Sequence, residues 1–80
     1  MRVEVRLFAS CRERVGADRV AVELADATVG GLVHALGAAY PSVAPLLAIS
    51  RVAVNLELAP AGRAIAAGDE LAVIPPVSGG

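Results

Sequence analysis

The chain has 80 residues, is 56% hydrophobic and carries a formal net charge of -1, which bounds it to one domain and excludes both a basic nucleic-acid footprint and a polybasic membrane patch. All seven basic residues are arginines, so a Walker A loop and lysine nucleophiles are excluded. His34 and Cys11 are the only histidine and cysteine, which leaves a metal cluster, a histidine-based triad or an intramolecular disulfide without partners.

In chain order, Arg2 to Phe8 reads as a strand, with Val3, Val5 and Leu7 alternating against Arg2, Glu4 and Arg6. Alternation puts Phe8 on the Arg6 face rather than among the valines. Ser10 is the expected cap of a short helix over Cys11 to Val15, ended by Gly16. Arg19 to Leu24 is a second strand with Val20, Val22 and Leu24 on one face. Asp26-Ala27-Thr28 supplies cap residues for the main helix, whose apolar face is Val29, Leu32, Val33, Leu36 and Tyr40. Gly30, Gly31 and Gly37 each cost that helix up to ~1 kcal/mol against Ala, a cost that close packing must offset. Pro41 stops it. A helical turn over Pro45 to Ile49, a strand over Arg51 to Asn55, a turn at Asn55 and a short return strand at Glu57-Leu58 follow. Ile65 is expected to pin the next segment to the core. Gly68-Asp69 is a turn, and Glu70 to Pro75 is the last strand. The order is strand, strand, helix, strand, strand, strand. It predicts an α+β domain, a mixed sheet packed against one main helix plus short helical turns, with at least one parallel pairing.

The remaining motif is Pro75-Pro76-Val77-Ser78-Gly79-Gly80. The prolines cannot extend a ladder, so they end the sheet and stiffen the exit. Four further residues reach at most roughly 13–14 Å. Two terminal glycines have no side chains, so such a tail can thread a narrow channel and present its carboxylate inside a partner. The expected organisation is a folded domain over 1–76 and a flexible tail over 77–80. His34 falls off the apolar helix face and reads as a surface residue, and Cys11 reads as a small core hydrophobe. Asp69-Glu70 reads as turn polarity. No apolar run approaches the ~18 residues of a membrane span, and Met1-Arg2-Val3-Glu4 is no signal peptide, so the expected setting is the cytoplasm.

The segment Gly68 to Gly80 closely resembles the C-terminus of the MoaD family, the small subunits of molybdopterin synthase, within the wider MoaD/ThiS group of ubiquitin-like sulfur carriers. Leu7-Phe8-Ala9 with Arg12-Glu13 and Gly16, and Val54-Asn55, resemble it too. The resemblance implies the β-grasp, or ubiquitin-like, fold with a five-stranded sheet. It implies that an adenylating, MoeB-like enzyme uses ATP on the terminal carboxylate of Gly80, and that sulfur, supplied indirectly by a desulfurase, then replaces AMP to leave a thiocarboxylate. The charged tail, with Gly79, Ser78, Val77, Pro76 and Pro75 threading, would enter a MoaE-like large subunit within a heterotetramer. There sulfur passes to cyclic pyranopterin monophosphate to form the molybdopterin dithiolene. On this reading the chain binds no metal or cofactor and is no enzyme by itself, the catalytic residues lying in the large subunit. Phe8, Leu58 and Ile74 match the partner-docking positions. For Arg12 and Glu13 a surface ion pair is the expectation. Alternatives are sulfur carriage to thiazole, cysteine or tRNA, a ubiquitin-like modifier of other proteins, and an interaction domain with an inert tail. The Pro75-Pro76 pair favours the first reading, because relatives serving other pathways usually lack it.

Overall fold

The computed structural model describes residues 1–76. Five strands, β1 (Arg2–Leu7), β2 (Arg19–Glu23), β3 (Arg51–Val54), β4 (Glu57–Ala59) and β5 (Leu71–Ile74), form one sheet in the order β2-β1-β5-β3-β4. Helices α1 (Ala9–Val15), α2 (Val29–Ala39) and α3 (Ala44–Leu47) complete the chain, with a 3₁₀ turn over Pro41–Val43 before α3. This is the β-grasp arrangement expected from the element order. The parallel pair is β1 with β5, registered Val5 to Leu71 and Leu7 to Val73, and the other pairings are antiparallel. The α2 crossover therefore joins β2 to β3, which run in the same direction without touching.

The core lies between the sheet and the helices. Period-2 alternation sends Val5, Leu7, Val20, Val22, Leu71 and Val73 into it from the strands. Leu32 and Leu36 of α2, at 0% and 1% exposure, fill its centre, and truncating either to Ala costs about 2–5 kcal/mol. Ile65 is buried as expected, and Cys11 sits at 0% exposure with its Sγ 3.8 Å from Ser50 Oγ.

Several local expectations change. The first helix begins at Ala9, with Phe8 as N-cap and no side-chain cap, so Ser10 lies inside it rather than capping it. The entry is a sharp corner, because Ala9 takes φ 48, a region costly for a residue with a Cβ. Gly16 ends α1 in the left-handed conformation, its N–H bonding the Arg12 carbonyl, and Thr28 Oγ1 caps α2 by accepting from Gly31 N. Among the described residues the ion pairs are Met1 N with Glu23, Arg19 with Glu4 and Arg63 with Asp69. The expected Arg12–Glu13 pair is not formed.

Candidate functional site

The face of the sheet away from the helices carries the side chains that alternation turns outward. Val5, Leu7, Leu71 and Val73 point to the core, so Arg6, Ala72 and Ile74 point away from it. The register sets Arg6 beside Ala72, Ala72 beside Ala53, and Ala53 beside Leu58. One step on, Ile74 pairs with Arg51. Phe8 continues β1 in extended backbone, at φ -124 and ψ 155, level with Ile74. Two rows result, Phe8–Ile74–Arg51 and Arg6–Ala72–Ala53–Leu58. Phe8 and Ile74 are each 40% exposed and Leu58 57%. The alanines between them make a shallow floor.

The structure thus brings Phe8, Ile74 and Leu58 onto one face. Arg6 and Arg51 border the patch, and the Arg6 guanidinium carbon lies 5.8 Å from the Phe8 ring centroid, within cation–π range. The β5 strand ends at Ile74, directly before Pro75, which is buried, and Pro76, which is exposed. The chain therefore leaves the sheet at the end that bears Phe8 and Ile74. The tail positions Val77, Ser78, Gly79 and Gly80 lie outside the described residues.

Two features escaped the sequence reading. The first is Leu56, 87% exposed, as the second residue of the β3–β4 turn expected at Asn55, where Asn55 and Leu56 take φ 52 and 69. Positive φ at both central positions is the type I′ pattern, which strongly prefers Gly at the second. The signal was the two-residue spacing between β3 and β4. The second feature is a clamp around Asp69. Asn55 Nδ2 donates to Asp69 Oδ1 at 3.0 Å and Ala66 N to Asp69 Oδ2 at 2.8 Å. Glu70 N donates to Asn55 Oδ1 at 2.9 Å. The Ala66 amide first, then the Asn55 amide and the Arg63 charge, hold the Asp69 carboxyl below the usual carboxylate range. Asp69 therefore fastens the β3–β4 turn to the loop entering β5, a larger role than turn polarity.

Other candidate chemistry recedes. No group of three His, Cys, Asp or Glu side chains capable of holding a metal occurs among the described residues. The first amides of α2 are already bonded, Val29 N to Arg63 O and Gly30 N to Ala61 O, so this helix end offers no anion site. His34 is exposed and lines an open groove of about 750 Å³ between α2 and β2. No helix among the described residues is long and apolar enough to cross a membrane.

Comparison with known proteins adds to this geometry. The family model described as the ThiS family matches residues 5–80. Small archaeal modifier protein 1 of Haloferax volcanii is 42% identical, covering 98% of this chain and 100% of that protein. The molybdopterin synthase sulfur carrier subunit of Dictyostelium discoideum is 36% identical, covering 96% of this chain and 94% of that protein. The crystal structure of SAMP1 from Haloferax volcanii superposes with a TM-score of 0.86 at 40% identity over 100% of both chains.

Proposed function

Because this chain belongs to the ThiS family of small ubiquitin-like carrier proteins, we propose that it is the sulfur carrier subunit of a molybdopterin synthase, loaded at Gly80. The observation that carries the proposal is the coincidence of the exit of β5 with the Phe8–Ile74 end of an exposed apolar face. A family match that runs through residue 80 supports the same reading, as does the carrier-subunit relative. At neutral pH a terminal carboxylate is ionised, its pKa being ~3.3–3.7, and it resists attack. An ATP-using partner converts it to an acyl adenylate, releasing pyrophosphate. A sulfur nucleophile then displaces AMP and leaves a thiocarboxylate. The patch of Phe8, Ile74 and Leu58 docks the partners, first the adenylating enzyme and then the large subunit. Residues 75–80 pass the sulfur into the large subunit, whose own residues carry out its transfer to cyclic pyranopterin monophosphate.

A second reading has its own support. The relative named a small archaeal modifier favours a role in which the same activated glycine forms an isopeptide with lysines of other proteins. Both readings begin with the adenylate and part at the acceptor. Incubation of the chain with a competent adenylating enzyme, ATP and a sulfur donor should raise its intact mass by the difference between sulfur and oxygen. Deletion of Gly80 should abolish the gain without changing the melting temperature. No mass change with competent partners refutes carriage, and high-mass conjugates in place of a thiocarboxylate establish the modifier reading.

A further inference from the structure

The strand β2 is an edge of the sheet, paired only with β1. Two bonds fix the phase of that pairing. Leu7 N donates to Asp18 O at 2.9 Å, and Leu24 N donates to Met1 O at 2.7 Å while the Met1 ammonium returns a bond to Leu24 O. In an antiparallel ladder, hydrogen-bonded pairs recur every second residue. The backbone groups of Val20 and Val22 are therefore turned toward β1, and those of Arg19, Ala21 and Glu23 toward the open side. No backbone bond to these three on that side occurs among the described residues.

Natural sheets guard such an edge with charges that repel a copy of themselves. This edge has the opposite design. Arg19 and Glu23 stand two residues either side of the small, exposed Ala21. If a second β2 is laid antiparallel with Ala21 opposite Ala21, Arg19 of each copy faces Glu23 of the other on the open face. Val20 faces Val22 on the core side. Within one chain Arg19 is in direct register with Arg6, a like-charge pair that destabilises a sheet. Its contact with Glu4 is an exposed one at 3.4 Å. Glu23 lies in register with Arg2 and contacts the Met1 ammonium at 2.7 Å. A second copy thus brings a carboxylate to the side of Arg19 that Arg6 leaves uncompensated.

The neighbouring surface is shaped to allow the approach. The groove between α2 and β2 is lined on its helix side mostly by small residues, Gly30, Gly31, Ala35, Ala38 and Ala39, with His34 the one large side chain there.

We propose that two copies of this chain associate along β2 about a two-fold axis at Ala21, extending the sheet across the junction. The contact is isologous, with the same edge used by both copies. It lies at the opposite side of the sheet from β3 and β4, so the face bearing Phe8, Ile74 and Leu58 stays open in both copies. Because the paired strands run antiparallel, the two β5 strands end at opposite ends of the extended sheet.

The test is the mass of the purified chain in solution, by light scattering after size exclusion and by sedimentation across a concentration series. The expected result is a concentration-dependent shift from the 8.0 kDa chain to twice that mass. Arg19→Glu and Glu23→Arg alone each place like charges opposite one another twice per dimer, and each weakens association about tenfold or more. The combined exchange Arg19→Glu with Glu23→Arg restores it, which a merely structural effect of either change would not do. Ala21→Pro abolishes the dimer and keeps the fold, because the amide it removes points away from β1; thermal melts confirm the fold of every variant. A parent chain that stays monomeric throughout, or a double exchange no better than the single ones, overturns the proposal.

Discussion

Helix α2 contains three glycines, and propensity alone predicts that replacing any of them with Ala stabilises it by up to ~1 kcal/mol. The structure gives each a different sign. A Cβ at Gly31 would lie 1.9 Å from the Asp26 carbonyl oxygen, and 2.8 and 2.9 Å from two further atoms of that residue. Asp26 cannot easily retreat, since its carbonyl accepts from Thr28 N at 2.9 Å and its Oδ2 from Thr28 Oγ1 at 2.9 Å. Overpacking against fixed backbone costs ~1–3 kcal/mol or more. Gly31→Ala should therefore lose about 2 kcal/mol net, which lowers Tm by roughly 8–16 °C in a domain of this size. At Gly37 the nearest atoms, Ala44 Cβ and Leu47 Cδ1, lie at 3.7 and 3.8 Å, ordinary contact. Gly37→Ala should raise Tm by up to roughly 4–8 °C. Gly30, with Ala61 O at 3.3 Å, should be near neutral. Thermal unfolding followed by far-UV circular dichroism measures all three. A Gly31→Ala variant that melts at or above the parent refutes the packing argument.

Leu56→Gly should stabilise the fold by about 1 kcal/mol, the cost of a side chain in left-handed backbone, read as a higher denaturant midpoint at unchanged slope. Asp69→Asn should narrow the acid dependence of stability. A carboxyl held below its usual range contributes stability that is present above the unfolded-state pKa of ~3.9 and lost as pH falls through the lower folded value. Parent and variant should therefore differ at neutral pH and converge in acid, as urea titrations at stepped pH would reveal. Phe8→Ala should leave Tm within a few degrees, since the ring is 40% exposed, yet weaken binding to the adenylating enzyme by ~2 kcal/mol or more. Unchanged affinity by calorimetry would retire Phe8 as an anchor.

Much of this architecture was legible because one face of each element is buried. Alternation in Val3-Val5-Leu7 and Val20-Val22-Leu24, and the spacing of Val29, Leu32 and Leu36, are imposed by a core that only period 2 or period 3.6 can fill. The outward setting of Phe8 followed from the same rule. What stayed hidden depends on contacts between distant segments. The Asp69–Asn55 clamp needs two loops brought together by β3 and β5. The reason for glycine at position 31 lies in the loop at Asp26. Ala9 and Leu56 adopt positive φ against their own preferences, because the chain must turn there and neighbouring segments fix how. The last strand came out shorter than Glu70 to Pro75 for a related reason. Pro75 is buried like a strand residue but has no N–H with which to join the ladder.

The position of β5 also has a mechanical consequence. It lies inside the sheet, with β1 on one side and β3 on the other, and the chain continues from it through Pro75 and Pro76. Tension applied beyond Pro76 pulls β5 lengthwise, loading the bonds on both flanks together in shear instead of peeling them one by one. A domain hauled by its last residues would hold its shape under a force that would unzip a strand at the sheet's edge.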